Sequence, residues 1–263
     1  MSLKDISLGR YVYGTSLLHR LDPRTKMICL LIIMVGLFAG NRWQLLLIAG
    51  IYILLAGFIS GLTPAYLVRS IMPFKWLIIL TVILNALFVG GHILIKAPLP
   101  YGGITREGLM LGTIYGVRIG MLVLAASLLT LTTEPVVLVT GVEKLLAPLT
   151  KFNIKPHEVA IAMIITIRFV PVLLDEAVKI RKSHAARGFN PKGVINRFKS
   201  VSILLLPLFS SAIRRAEHLA VAMECRLYRS EASRTRFKEI RMLGSDWTAL
   251  SITVLFLLFM LVI

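Results

Sequence analysis

The sequence predicts an all-α, polytopic membrane protein with about five transmembrane helices and long cytoplasmic helices. Hydrophobic residues make up 57% of the 263 residues and charged residues only 16%, and the mean hydropathy is +0.81. Soluble domains are closer to half apolar and a quarter charged. The chain has 30 Lys and Arg residues against 13 Asp and Glu, a net charge of +17. In so hydrophobic a chain, this excess indicates positive charge collected on one side of a membrane rather than a nucleic-acid-binding surface.

Five apolar stretches are candidates for transmembrane helices, because about 20 apolar helical residues cross the hydrocarbon core. They are residues 27–40, 43–62, 76–95, 108–133 and 247–263. The first is short, so it requires a helix that continues into its flanks or charged flanks that reach the membrane surface. Trp43, Trp76 and Trp247 each begin a stretch, as is typical of aromatic residues at a membrane interface.

The positive charge sets the predicted orientation. Lys and Arg collect in residues 1–26, in the loop 63–75 and in residues 134–246. These segments share one side of the membrane if the first four stretches all cross it, and the positive-inside rule then makes the N-terminus cytoplasmic. The predicted organisation is an N-terminal cytoplasmic arm with four transmembrane helices (1–133), a set of cytoplasmic helices (134–246) and a C-terminal transmembrane helix (247–263).

Arg118 is the one charge well inside a predicted transmembrane helix. An arginine in the membrane is costly, which makes it by default a candidate functional residue. The alternatives are a buried structural pair and an arginine that lies nearer the membrane surface than these boundaries place it.

Three helices are predicted between residues 134 and 246. The first covers residues 136–146, and the second runs from Pro156 to Arg187 with a kink at Pro171. The third covers residues 194–229 and is interrupted by Pro207. The second helix carries an apolar stripe with spacings of three and four residues: Val159, Met163, Ile167, Val170 and Leu174.

The second and third helices end alike. The second ends in Ala186-Arg187-Gly188, and the third in Cys225-Arg226-Leu227, with Glu224 before it and Tyr228 after it. A single arginine in a last helical turn is commonly a cation that complements the helix dipole. Two matching ends indicate two equivalent docking points, where the arginine donors grip carboxylates or carbonyls of a two-fold partner.

Several short motifs, in this order along the chain, resemble the transmembrane scaffold subunit (T component) of energy-coupling-factor transporters. These transporters are the vitamin- and metal-uptake branch of the ABC transporters. The motifs are residues 14–26 (GTSLLHRLDPRTK), 132–135 (TTEP), 141–148 (GVEKLLAP), 168–171 (RFVP) and 186–188 (ARG). Cys225-Arg226-Leu227 occupies the position of a second Ala-Arg-Gly signature but differs from it on both sides of the arginine.

The resemblance implies a non-catalytic subunit in a prokaryotic cytoplasmic membrane. The cytoplasmic helices of residues 134–246 would be coupling helices that contact two ABC-type ATPase subunits, identical or different. The ATPases would bind ATP and Mg, while this chain would hold no cofactor. Arg187 and Arg226, with the flanking residues named above, would transmit motion from the ATPases. The stripe from Val159 to Leu174 would face a substrate-binding membrane protein, the S component, that carries a vitamin or other micronutrient.

The motif search agrees with a non-catalytic role. The sequence contains no phosphate-binding Gly-x-x-x-x-Gly-Lys-Ser/Thr motif, no zinc-site spacing among its five histidines and no nucleophile motif. Two alternatives stay open: a membrane-embedded lipid-binding protein or enzyme with a basic cytoplasmic face, and a self-sufficient channel or carrier. Turnover by the isolated chain would favour the first, and substrate flux without ATPases would favour the second.

Overall fold

The computed structural model describes residues 11–39, 43–96, 103–152, 155–187, 194–228 and 242–262. Contacts divide the chain into two compact units. The membrane unit comprises Gly9–Gly141 and Ile240–Ile263, and the α8–α9 unit comprises Val142–Glu239 together with Met1–Leu8. The predicted assignment of segments 1–133, 134–246 and 247–263 to membrane and cytoplasm stays a prediction.

Helices make up nearly all of the regular structure in the described ranges. They are α1 (Leu17–Arg20), α2 (Pro23–Phe38), α3 (Trp43–Ile59), α4 (Pro64–Ile71), α5 (Lys75–Phe88), α6 (Arg106–Thr132), α7 (Pro135–Leu145), α8 (Pro156–Ala186), α9 (Val194–Cys225) and α10 (Gly244–Val262). Short 3-10 turns cover Met72–Phe74 and Ala147–Phe152, and strands β1 (Ile93–Lys96) and β2 (Gly103–Thr105) pair antiparallel.

The prediction of an all-α membrane protein is confirmed. Three helical stretches within the described ranges are long and apolar enough to cross a membrane: Pro64–Phe88, Arg106–Thr132 and α8. Trp43–Ile59 and Gly244–Met260 are apolar but shorter. Length and composition alone do not distinguish a crossing helix from one that lies against another surface, so the cytoplasmic position of α8 stays a prediction.

The first predicted stretch does extend into its flank. Helix α2 begins at Pro23, where proline fits the first helical position and the Asp22 carboxylate accepts a hydrogen bond from the backbone N–H of Arg24 at 3.0 Å. It ends at Phe38. Sixteen residues are still fewer than a perpendicular crossing needs.

The stretch predicted over residues 76–95 is wrong at its C-terminal end, while its start agrees with that of α5 within one residue. The helix ends at Phe88, and Ile93–Lys96 forms β1 instead. The glycine pair at 90–91 disfavours further helix, and Thr105 donates its hydroxyl to the carbonyl of Val89 at 2.6 Å, closing the turn to β2. Before the predicted start, the supposed loop 63–75 is helical, as α4 and a 3-10 turn lead directly into α5.

Helix α6 packs closely on α5 through glycines one turn apart. Gly108, Gly112 and Gly116 face α5, and a Cβ at Gly112 would lie 2.9 Å from the carbonyl oxygen of Val82. Small residues at four-residue spacing allow helix backbones to approach this closely in membranes. Gly120 lies beyond the close contact, since a Cβ there would meet only Ile78 Cδ1, at 4.0 Å.

The core of the membrane unit lies among α2, α3, α6 and α10. Its buried members include Leu37, Ala49, Ile53, Leu128 and Met260. The outer faces of the helices expose large hydrophobic side chains, such as Phe58, Trp76 and Leu255. Apolar surface of this extent is stable where lipid replaces water.

Helices α7 and α8 match their predicted ranges closely, and α9 differs in one respect. The interruption predicted at Pro207 is wrong, because α9 is continuous from Val194 to Cys225 with Pro207 inside it. Proline removes one backbone hydrogen bond, and α9 tolerates that loss without ending. Pro171 likewise lies inside α8.

Candidate functional site

The end of α8 exposes the first predicted coupling arginine. Ala186 is the last helical residue and Arg187 is the C-cap; both are exposed. The N–H of Arg187 donates to the carbonyls of Ser183 and His184, both at 3.2 Å. Arg187 therefore sits where the last carbonyls of α8 concentrate negative potential. Gly188 lies outside the described residues.

The end of α9 closes in a Schellman turn without glycine. The N–H of Tyr228 donates to the carbonyl of Met223 at 2.9 Å, and the N–H of Leu227 to that of Glu224 at 2.8 Å, the two bonds that define this motif. Leu227 has a φ of 57°, a conformation that usually calls for glycine. The tight turn after Arg226 therefore forms although leucine stands in the glycine position.

The side chains around the second turn are largely accessible. Glu224, Cys225 and Arg226 are exposed, Leu227 is 79% exposed and Tyr228 is half-buried. The structure thus gives the two arginines a common setting, each as the residue that follows the last turn of a long helix.

An ion pair joins α8 to α9. Arg215 on α9 bonds the carboxylate of Glu176 on α8. Hydrogen bonds from Arg215 and from Ser211 hold the pKa of Glu176 below its usual value. This bond links the two helices that carry Arg187 and Arg226.

The apolar stripe on α8 is only partly covered. Val159 and Met163 are exposed, whereas Ile167, Val170 and Leu174 are half-buried. Helix α9 adds further exposed apolar side chains: Leu205, Leu206 and Phe209. The α8–α9 unit therefore keeps uncovered apolar surface beside its basic residues.

Arg118 lies inside the membrane unit rather than at its surface. Only 6% of the residue is exposed. Its guanidinium carbon lies 5.4 Å from the centre of the Tyr115 ring and 6.0 Å from that of Phe38. Contact with two ring faces partly compensates a buried arginine and fits the predicted alternative of a buried structural pairing.

A buried polar cluster, missed by the sequence analysis, joins two of the resembling motifs to the start of α10. Lys26 Nζ donates to the carbonyl of Thr132 at 3.0 Å and to Thr133 Oγ1 at 3.1 Å. The carboxylate of Asp246 accepts from the backbone N–H of Asp22 at 2.8 Å. The available signal was that Asp22, Lys26, Thr132 and Thr133 belong to motifs of the same resemblance. Asp246, beside a transmembrane stretch, gave no signal of its own.

The described residues contain no group of three or more His, Cys, Asp or Glu side chains placed to hold a metal ion. The polar groups that converge in this part of the chain are arginines at helix ends and the buried cluster around Lys26. This arrangement suits recognition and anchoring, since it presents cations and fixed hydrogen bonds.

These features define a polytopic helical membrane protein with two long helices that end in exposed arginines. Comparison with known proteins specifies it further. The profile of the CbiQ family, described as cobalt transport protein, matches residues 14–237.

Three relatives bear the name energy-coupling factor transporter transmembrane protein EcfT. The protein from Thermosediminibacter oceani is 40% identical over 250 residues, covering 94% of this chain and 93% of the relative. The protein from Acidaminococcus fermentans is 40% identical over 240 residues, covering 90% and 89%. The protein from Thermanaerovibrio acidaminovorans is 38% identical over 266 residues, covering 99% and 98%.

The chain therefore belongs to the family of energy-coupling factor transporter transmembrane proteins. It is a membrane-embedded subunit of a transport system that contains other components.

Proposed function

We propose that this chain is the non-catalytic scaffold of an energy-coupling-factor importer. It couples ATP hydrolysis by two ABC-type ATPase subunits, which bind the ATP and Mg, to movement of a substrate-binding S component during uptake of a vitamin or other micronutrient. It lies in a prokaryotic cytoplasmic membrane with its N-terminus in the cytoplasm. Family membership supports the transport role, and the geometry of the two arginine ends supports the coupling role.

The observation that carries the proposal is the matching exposure of Arg187 and Arg226 at the ends of α8 and α9. Arginine has five donors in a rigid fork and suits carboxylates and carbonyls in a groove. A helix end that enters a groove with a central arginine is a recognised mode of protein docking. Two such ends on one chain suit two ATPase subunits.

The uncovered apolar surface supports a second contact. Val159 and Met163 on α8 and the exposed leucines of α9 form a surface suited to a hydrophobic partner. The S component is itself a membrane protein, so its apolar helices match this surface. The proposal assigns Val159, Met163, Ile167, Val170 and Leu174 to that interface.

Coupling requires that the ATPase grooves hold the arginine ends differently before and after hydrolysis. A ligand shifts an equilibrium only by its difference in affinity for the two states. The Glu176–Arg215 pair joins α8 to α9. This pair provides one direct link between the helices that carry the two ends.

The test is purification of the tagged chain from its native membrane, followed by identification of the proteins that accompany it. We expect two ATPase subunits and a small hydrophobic protein. Changing both Arg187 and Arg226 to Ala should remove the ATPases while leaving the chain in the membrane, because each docking point loses its anchoring cation.

Arg214→Ala is the matched control, since Arg214 is an exposed arginine on α9 away from the helix end. That variant should keep both ATPases. If the doubly substituted chain retained both ATPases at wild-type stoichiometry, the proposed coupling contacts would be wrong. A chain that purifies alone and turns over lipid would instead support the alternative of a lipid-binding protein or enzyme.

A further inference from the structure

The chain leaves the membrane unit once and returns to it once on either side of the α8–α9 unit. The exit point is the end of α6, at Thr132 and Thr133, from which α7 leads to the boundary of the unit at Gly141. The return point is the start of α10, with Leu243 just before the helix and Asp246 in its first turn. Among the described residues, the backbone that connects the two units passes these two points.

The exit point is fastened to the N-terminal turn of α2. Lys26 is only 9% exposed and donates to the carbonyl of Thr132 and the hydroxyl of Thr133. Further along the chain, α7 packs closely against the same turn. A Cβ at Gly141 would lie 3.0 Å from Pro23 Cβ. The N-terminal turn of α2 therefore contacts the exit segment at two places, before α7 at Thr132 and Thr133 and within α7 at Gly141.

The return point is fastened to the same N-terminal turn of α2 through Asp246. Asp246 is 1% exposed. Its Oδ2 accepts from the N–H of Leu243 at 2.8 Å, and its Oδ1 accepts from the N–H of Asp22 at 2.8 Å. One carboxylate thus caps the beginning of α10 and binds it to the residue that begins α2.

Both fastenings are buried and charged, which makes them durable. Separating a buried charge from its partner has a large cost in free energy. The hydrogen bonds of the buried Asp246 carboxylate are also charge-assisted, and such bonds are stronger than neutral ones. Contacts of this kind persist while more weakly held parts of the protein move.

We infer that Lys26 and Asp246 are positioning residues for energy coupling. With Asp22, they form the anchor through which displacement of the α8–α9 unit is delivered to the transmembrane helices. The inference rests on the proposed function, because it takes the α8–α9 unit to be the part that the ATPases move. It assigns to the turn from Asp22 to Lys26 the task of holding the exit and return points together.

The test is hydrogen–deuterium exchange on the full complex in lipid nanodiscs, with and without MgATP and orthovanadate. In the wild-type complex we expect nucleotide to change exchange in α8 and α9 and also in α2, α6 and α10. In Lys26→Met and Asp246→Asn, the response of α8 and α9 should remain, while the response of the three transmembrane helices should be lost.

Two further variants separate positioning from general stability. Thr133→Val removes one acceptor of Lys26 at nearly constant size and should weaken the transmembrane response. Thr130→Val is its control, because Thr130 is exposed and bonds only within its own helix, to Ala126 O at 3.1 Å. Lys26→Arg keeps the charge and the donors and should restore the response that Lys26→Met loses.

The outcomes distinguish this inference from the proposed function. A wild-type complex without ATPases, or without any response of α8 and α9, would refute the proposed function. A wild-type response throughout, matched by Lys26→Met and Thr133→Val, would overturn the anchor and leave the proposed function standing. If Asp246→Asn does not assemble, Thr133→Val against Thr130→Val decides the question.

Discussion

Leu227 shows how a single residue can hold a conformation that its side chain disfavours. Left-handed backbone costs a residue other than glycine roughly 1–2 kcal/mol. The two backbone bonds that close the turn, from Leu227 to Glu224 and from Tyr228 to Met223, compensate that strain. The result is an exposed leucine directly after Arg226, where the end of α8 has Gly188 in sequence.

At this position, Leu227→Gly should keep the turn and relieve about 1 kcal/mol of strain. Leu227→Val should open the turn, because a β-branched residue is a genuine outlier at positive φ. The amides of residues 227 and 228, observed by hydrogen exchange, should be protected as in wild type in the glycine variant and exchange faster in the valine variant. Equal protection in both variants would mean that partners, not the turn, hold this conformation.

At the scale of elements, the α5–α6 pair is organised by close backbone approach and the α8–α9 pair by charge. Gly108, Gly112 and Gly116 leave no space between α6 and α5, so this pair behaves as one rigid piece. Helices α8 and α9 meet through Glu176 and Arg215, a partly exposed contact that adjusts more readily. The two helix pairs therefore differ in the kind of contact that joins them.

Replacing Gly112 with Ala should destabilise the membrane unit by about 1–3 kcal/mol, the usual cost of overpacking. The added methyl group would meet the backbone of Val82, which cannot rotate away as a side chain can. Thermal unfolding in detergent, followed by fluorescence, measures the change. Gly120→Ala is the control and should be neutral or slightly stabilising, since its Cβ has room and alanine favours helix. Identical melting temperatures for the two variants would exclude the close approach.

Glu176→Gln should loosen α8 from α9. The loss should be small, because both partners are partly exposed and such pairs contribute little. The pKa of Glu176 is lowered in the folded state, so the pair stabilises the protein above the ordinary glutamate pKa of about 4.3. Its contribution disappears as pH falls through the lowered value. Exchange rates of α8 and α9 amides should rise in Glu176→Gln and stay unchanged in Glu217→Gln, which alters an exposed acid on α9.

At the scale of the whole molecule, the predicted orientation depends on where the positive charge collects. The two native cysteines report on it without any engineering: Cys29 lies in α2 and is half-buried, and Cys225 is exposed at the end of α9. Cytoplasmic placement of the α8–α9 unit puts Cys225 on the same side as the N-terminus. A crossing by α8 would instead put Arg187 on the opposite side.

A membrane-impermeant maleimide should label Cys225 in inside-out vesicles and not in right-side-out cells. Cys29 should stay unlabelled in both, since lipid and protein surround it. Bound ATPases should slow the labelling of Cys225, because it adjoins Arg226 in the proposed docking end; the Cys225→Ser variant gives the background. Labelling of Cys225 from the outside of intact cells would reverse the predicted topology.

Much of this architecture could be predicted from the sequence because it depends on local patterns. Hydropathy located the transmembrane helices, since each must satisfy its own backbone bonds in lipid. Pro156 at the start of α8, and Gly188 with Pro191 just beyond its end, predicted its limits, because capping is decided within one turn. The resemblance to a known family depended on the same short motifs.

Other features depended on residues far apart in the chain. The strand at Ile93–Lys96 replaced predicted helix because Thr105 and β2 supply it with partners. The turn at Leu227 formed against its residue preference because backbone bonds compensate the strain. Thr132 and Asp246 both bond the N-terminal turn of α2, through Lys26 and Asp22, because tertiary packing brings these distant parts of the chain together.

The sequence by itself therefore determined the class of protein, the helices and the two arginine ends, because hydropathy and capping act within a few residues. Only the tertiary structure decided which buried charges hold the helices together. Pairing Asp246 with Asp22 spans 224 residues, and no local pattern specifies a contact that is stabilised only after the whole bundle has excluded water from it.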